Sequence, residues 1–93
     1  MLNAIDGPEY QAAAKQLAAL KVGQTMKVTI FSRRQHKPST LTRTGKVRVV
    51  HGPWPDHPYL VMVAFEQQRK VGVARFLVTS QTLVSIEEVQ ADR

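Results

Sequence analysis

The spacing of apolar residues changes at Gly23, and this change limits what the chain can fold into. Before Gly23, apolar side chains recur every three or four residues, which is the period of an amphipathic helix. After it, valine, isoleucine, threonine and phenylalanine become frequent and the apolar spacing shortens towards two, which is typical of β-strands. The sequence therefore predicts one N-terminal helix followed by a domain built mainly from strands.

The helix is predicted over about residues 8–21. Asp6 is a suitable N-cap, Pro8 suits the first turn, and Glu9 stands where a capping box places its acid. Gly23 is expected to end the helix, because glycine readily adopts the left-handed conformation that follows many helices. The predicted buried stripe consists of Tyr10, Ala13, Ala14, Leu17 and Leu20.

Five strands are predicted after the helix, at about residues 26–33, 45–51, 59–66, 69–78 and 83–88. The third and fourth are expected to form a hairpin, with Gly72 as a bulge or bend in the fourth. Residues 34–44 are predicted to be a long basic loop. The elements predict a mainly β member of the α+β class, in which the helix precedes a curled five-stranded antiparallel sheet. We expect a small SH3-like or Sm-like barrel, with residues 1–93 in a single domain.

This order of elements resembles the architecture of Sm-like proteins, and the strands alone resemble an SH3-like barrel. No residue roles follow from the resemblance, because residues 51–58 (HGPWPDHP) stand where Sm-like proteins have a short turn. A second resemblance is local. Residues 45–54 (GKVRVVHGPW) are similar to the strand and turn of KOW modules in ribosomal and transcription proteins, although the glycine expected shortly afterwards is missing. This likeness covers about a tenth of the chain and implies a nucleic-acid ligand.

Composition excludes several other classes of protein. The chain has no cysteine, which removes disulfides, thiolate ligands and cysteine nucleophiles and favours a reducing compartment. No apolar stretch approaches the roughly 18 residues of a membrane span, and the N-terminus lacks the pattern of a signal peptide. We therefore expect a cytoplasmic protein with no membrane partner and no cofactor.

Positive charge is segregated along the chain. Thirteen Lys and Arg stand against seven Asp and Glu, for a net charge of +6, and no acid occurs between Glu9 and Asp56. A surface that serves only solubility usually mixes both signs, so the segregation favours a binding surface for an anionic partner. The nine cations in this interval are Lys15, Lys21, Lys27, Arg33, Arg34, Lys37, Arg43, Lys46 and Arg48.

Two interpretations of the 34–44 segment remain open. It could be a basic arm that lies along a phosphate backbone, with Phe31 and Arg48 extending the surface onto the sheet. It could instead be a solvated loop whose charges only aid solubility. The absence of interspersed acids favours the arm. The hydroxyls that would donate to phosphate belong to Ser39, Thr40, Thr42 and Thr44.

Three prolines stiffen residues 51–59, which carry Trp54, the only tryptophan. Trp54 could offer a stacking face to a base, with His51, His57 or Tyr59 beside it. It could also cap the open end of a small barrel, which is the more common role of a proline-flanked aromatic residue, or form part of a protein docking surface.

Catalytic and metal-binding interpretations have little support. His51, Asp56 and His57, together with His36, have suitable ligand chemistry but match no familiar zinc spacing. The serines have no evident base, and the two carboxylates at residues 87 and 88 are expected to be solvated at a strand end. We expect no catalytic residues and no metal ligands.

The leading hypothesis is a non-enzymatic domain that grips the phosphate backbone of RNA or DNA with little sequence specificity. The alternative is a protein-interaction or regulatory module that uses the same basic face, with Trp54 and Tyr59, against an acidic protein. An unpaired edge strand could also join two copies in a homodimer. The proposed nucleic-acid contacts are Arg33, Arg34, Lys37, Arg43, Lys46, Arg48 and Trp54.

Overall fold

The computed structural model describes the backbone of residues 7–34 and 37–89, and the side chains of residues 33, 34, 37 and 38 lie outside the described part. One helix precedes a five-stranded antiparallel sheet, which confirms the predicted α+β, mainly β class. The elements are α1 (Pro8–Ala18), β1 (Thr25–Arg34), β2 (Lys37–His51), β3 (Met62–Gln68), β4 (Val73–Thr79) and β5 (Leu83–Glu88). The strand order is β4-β3-β2-β1-β5, and the sheet stays open between β4 and β5 instead of closing.

α1 is shorter than the sequence predicts. Gly7 is the N-cap, with an extended backbone and no side-chain cap, whereas the predicted cap Asp6 lies outside the described residues. The helix ends at Ala18 instead of about residue 21, and Gly23 (φ +101°) lies in the turn that leads to β1. The Gly23 amide donates to the carbonyl of Val47 at 2.9 Å, so this turn is bonded to the sheet and does not continue the helix.

The helix covers one face of the sheet and shares its core. The predicted stripe is buried at Tyr10, Ala13, Ala14 and Leu17, and Leu20 packs at its margin. We call the sheet face towards this core the inner face and the opposite one the outer face. The sheet and its adjoining loops contribute Met26, Val28, Val47, Val61, Val63, Phe65, Val78 and Leu83 to the core.

The predicted loop at residues 34–44 is wrong, because residues 37–44 belong to β2. This strand runs for 15 residues and pairs with β1 in ten consecutive register pairs, from Thr25↔Lys46 to Arg34↔Lys37. Only residues 35 and 36 stand between the strands, and they lie outside the described part. Threonine favours strands because its branched side chain suits the pleat, and pairing supplies the backbone hydrogen bonds that a loop would leave to water.

The second hairpin lies further along the chain than predicted. Gln67 and Gln68 pair with β4, so they end β3 and do not form the turn. The turn is at residues 69–72, where the Arg69 amide donates to the carbonyl of Gly72 at 3.1 Å. Gly72 has a φ of +79° within this turn, so the predicted bulge inside the fourth strand is wrong. β5 has the predicted range.

No helix within residues 7–34 and 37–89 has the length and apolar character needed to cross a membrane.

Candidate nucleic-acid interface

β1 and β2 form one long hairpin, residues 25–34 and 37–51, which we call the basic hairpin. Its sequence holds seven Lys and Arg and no Asp or Glu. Both strands are in the middle of the sheet, so β3 flanks one side and β5 the other. The seven cations are Lys27, Arg33, Arg34, Lys37, Arg43, Lys46 and Arg48.

Acidic residues on the neighbouring strands face only the base of the basic hairpin. Glu66 of β3 is the register partner of Lys46, and Glu87 of β5 is the register partner of Lys27. Towards the distal end of the hairpin, the pairing of β3 with β2 stops at Lys46 and the pairing of β5 with β1 stops at Ile30. The distal end, residues 31–34 and 37–40, therefore has no acid in register with it in the described structure.

Arg33, Arg34 and Lys37 lie at this distal end. Arg34 is the register partner of Lys37, and Arg33 is the register partner of Pro38. Their backbones are therefore together at the end of the hairpin, while their side chains lie outside the described part.

Lys27 and Arg48, at the base of the hairpin, form ion pairs at the surface. Lys27 Nζ is 3.7 Å from Glu87 Oε1, and Arg48 Nε is 3.8 Å from Glu66 Oε2. Arg75 of β4 reaches the same Glu66 oxygen, with its Nε at 3.5 Å. Because two arginines share one carboxylate, this group on the outer face keeps a net positive charge. Exposed pairs of this kind stabilise a fold by about 0–1 kcal/mol and weaken with salt.

Arg43 does not join Lys46 and Arg48. Side chains alternate along β2, so Arg43 shares the inner-face side with buried Gly45 and Val47, whereas Lys46 lies on the outer face. The Arg43 guanidinium carbon is 5.8 Å from the centre of the Phe76 ring, a cation–π distance. The structure therefore separates the predicted contacts across the two faces of the sheet.

Phe31 is partly buried and lines a shallow cavity of about 360 Å³ at the helix and β5, together with Glu9 of α1. It is the register partner of Thr40, and side-chain alternation along β1 puts it on the same side as Lys27 and Thr29. Its contribution to the basic surface stays a prediction.

The hydroxyl groups of the basic hairpin are exposed but partly engaged. Thr42 Oγ1 is 3.0 Å from Thr29 Oγ1 across the two strands, and Ser39 Oγ donates to the carbonyl of Ser32 at 3.1 Å. Thr40 and Thr44 are also exposed. By side-chain alternation along β2, Thr40, Thr42 and Thr44 lie on the same side as Lys46, whereas Ser39 lies on the opposite side.

Trp54 lies beyond the opposite end of β2 from the distal end of the hairpin. The His57 amide donates to the carbonyl of Trp54 at 2.9 Å, which closes a tight loop. A Cβ on Gly52 would be 2.8 Å from the Trp54 ring, so one side of the ring rests on the chain at Gly52 (φ +86°). The Trp54 side chain is 37% exposed. The structure does not bring Trp54 to Arg33, Arg34 and Lys37.

The sequence did not indicate Glu66 or Arg75 as part of this surface. Their significance follows from the register of three strands, which places Lys46 and Arg75 on either side of Glu66. Across the described residues, no three His, Asp or Glu side chains are grouped as metal ligands would be, and His36 is outside that range.

No protein-family model matches the chain, and comparisons with curated proteins and with solved structures find no match. The function is therefore inferred from the residues and their geometry.

Proposed function

We propose that this protein is a non-enzymatic nucleic-acid-binding domain that grips the phosphate backbone with little sequence specificity. The observation that carries the proposal is the basic hairpin, in which seven cations and no acid occupy two paired strands. A protein that neutralises phosphates releases condensed counterions, and this release drives binding whatever the sequence. The resemblance of residues 45–54 to KOW modules supports the same class of ligand.

The seven cations contribute unequally in this proposal. Arg33, Arg34 and Lys37 make the main contacts, because the acids in register with the hairpin lie at its base. Lys46 and Arg48 extend the contact along the outer face. Arg43 acts chiefly through its packing on Phe76, and Trp54 stacks on a base only where the polymer continues past the end of β2. The likeness to SH3-like and Sm-like barrels, and a cytoplasmic location, belong to the same proposal.

Fluorescence anisotropy with random single- and double-stranded DNA and RNA over a salt series tests this function. If roughly five phosphates are engaged on a duplex, the logarithm of the binding constant should fall with the logarithm of salt concentration with a slope of about −4 to −5. A flat salt response would contradict the proposal.

A charge-reversal pair of variants locates the contact. The combined variant Arg33→Glu, Arg34→Glu and Lys37→Glu should lose most binding. The matched control, Lys15→Glu, Lys21→Glu and Lys70→Glu, makes the same change in net charge at exposed positions outside the hairpin and should bind more tightly than the test variant. Equal losses in the two variants would mean that net charge alone, and not the hairpin, governs binding.

The exposed fractions of Trp54 (37%) and Tyr59 (39%) favour a second candidate, a module that docks an acidic protein. Unchanged nucleic-acid affinity in the hairpin variant, together with loss of a stoichiometric acidic protein partner, would favour this candidate over the first.

A further inference from the structure

β4 is an edge strand with one side unpaired in the described structure. It pairs with β3 through seven consecutive register pairs, from Gln68↔Val73 to Met62↔Thr79, with no bulge. Such an edge presents a row of backbone donors and acceptors to any extended chain. Proteins usually guard these edges with a bulge, a proline, several charges or a covering element.

β5, the opposite edge, carries three of these safeguards. Its register with β1 shifts at Thr29 and Ile30, which leaves Val84 as an extra residue. Its last two residues, Glu87 and Glu88, are exposed acids, and α1 packs against the strand.

β4 has only one charged residue, Arg75, and exposes apolar side chains instead. Leu77 is 62% exposed and Val73 is 47% exposed, both at outer-face positions, and Val71 in the preceding turn is 93% exposed. A regular, apolar and uncovered edge of this kind is suited to pairing with another strand.

We infer that β4 pairs with β4 of a second copy of this chain, antiparallel, about a two-fold axis at Phe76. Phe76 is the middle residue of Val73–Thr79, so this register uses all seven residues of both strands. Two-fold pairing is isologous, which closes the assembly as a dimer and leaves no further β4 edge. The two sheets then form one ten-stranded sheet.

The distribution of charge on β4 favours this register over its neighbours. With Phe76 at the axis, Arg75 lies opposite the partner's Leu77 and keeps its ion pair with Glu66 of its own chain. A two-fold axis at Arg75 would place the two like charges directly opposite each other, which is destabilising. An axis at Leu77 would leave Val73 and Ala74 unpaired. In this dimer the two basic hairpins do not pair with each other, because β3 lies between β4 and the hairpin in each sheet.

Sedimentation velocity over a wide range of protein concentration tests the dimer. The wild-type chain should pass from monomer to a species of twice its mass. Leu77→Lys should weaken the dimer about tenfold or more, because it places a second cation beside Arg75 at the interface. Val84→Lys makes the same kind of change at an exposed position on the opposite edge and should dimerise like the wild type. A wild-type chain that stays monomeric, or a Leu77→Lys chain that dimerises normally, would overturn the inference.

Disulfide trapping tests the register, since the chain has no cysteine of its own. Directly opposite residues in antiparallel strands have Cβ atoms about 4.5–5.5 Å apart, from which a small shift allows a disulfide. An equimolar mixture of Arg75→Cys and Leu77→Cys chains should yield the mixed disulfide faster than either chain forms its own. Preferential trapping of Arg75→Cys with Glu87→Cys would show pairing of β4 with β5 instead and would refute the two-fold dimer. Neither measurement involves nucleic acid. A failure to dimerise would therefore leave the proposed nucleic-acid binding unaffected, and a failure to bind nucleic acid would leave the dimer unaffected.

Discussion

Gly45 of the basic hairpin lies directly against Phe76 of β4. A Cβ at this position would be 3.0 Å from Cε1 of Phe76 and 3.2 Å from the carbonyl oxygen of Glu66. The missing side chain lets the Phe76 ring lie over the strand, where it stacks on Phe65 with ring centres 5.2 Å apart. The close approach also brings Phe76 beneath the Arg43 guanidinium. A glycine inside a strand commonly marks such an approach.

Gly45→Ala should lower the free energy of unfolding by about 1–3 kcal/mol, because the added methyl group forces the Phe76 ring out of place. Urea denaturation measures the change. In a Phe76→Leu background the same substitution should cost less, since the smaller side chain has room to move. An equal cost in both backgrounds would identify the Glu66 carbonyl, and not the ring, as the obstacle.

Ser80 is the one buried polar residue among those described, and its hydroxyl joins the loop before β3 to the end of β4. Ser80 Oγ accepts from the Val61 amide at 2.8 Å and donates to the carbonyl of Tyr59 at 2.8 Å. Ser80→Ala should cost about 1–3 kcal/mol in unfolding free energy, because it removes the side-chain hydrogen bond of the buried Val61 amide. Thermal and urea denaturation test this. Ser85→Ala, at an exposed position in β5, serves as the control and should change stability little.

At the scale of the elements, α1 depends on the sheet. Its 11 residues are too few for an isolated helix to be stable in water, where about 12–15 are marginal, so most of its stability comes from packing. Ala13 and Ala14 allow a close approach to the sheet, and Leu17 is fully buried in the shared core. The N-cap contributes no side-chain hydrogen bond.

Leu17→Ala should therefore lower the free energy of unfolding by about 2–5 kcal/mol, the usual cost of a cavity at a fully buried leucine. Circular dichroism during urea denaturation should show helix and sheet signals lost together at a lower midpoint. Lys15→Ala, on the exposed side of the same helix, should change stability by no more than about 0.5 kcal/mol. A comparable loss in both variants would mean that the burial of Leu17 does not account for the stability of α1.

At the scale of the whole molecule, acidic and basic residues are separated along the length of the basic hairpin. Among the residues that the structure describes, the acids in register with the hairpin lie at its base, while Arg33, Arg34 and Lys37 lie at its distal end. Glu66 is the acid that lowers the positive potential of the outer face most directly, because it forms ion pairs with both Arg48 and Arg75. On the proposed function, this arrangement steers an anionic partner towards the distal end of the hairpin.

Glu66→Gln should raise the affinity for nucleic acid, on the proposed function, by about fivefold, which corresponds to about 1 kcal/mol. The substitution frees two arginines on the outer face, while stability should change by about 1 kcal/mol or less because the ion pairs are exposed. Anisotropy titrations at low salt measure the effect. Asp56→Asn makes the same change in net charge in the Trp54 loop and should raise affinity less. A larger gain from Asp56→Asn would point to the Trp54 loop as the main contact.

The sequence by itself determined the elements whose signal is local. The helical stripe from Tyr10 to Leu17 and the period-two pattern of the strands predicted one helix, five strands and the mainly β class, because one-sided burial imposes these periods on neighbouring residues. Residues 37–44 carried no such signal. These residues do not pair with β3, and polar side chains occur on both faces of this part of β2. Only their pairing with β1 makes them a strand. The predicted roles of the cations in binding remain predictions.

Only the tertiary structure decided which of the candidate residues lie together. The sharing of Glu66 by two arginines depends on strand register. The separation of Arg43 from Lys46 and the distance of Trp54 from the hairpin end depend on β2 continuing as one strand from Lys37 to His51. Register is determined by long-range contacts such as Phe76 over Gly45, and a shift of one residue moves every side chain to the other face of the sheet. Local sequence patterns carry no such information, because the paired residues are far apart in the chain.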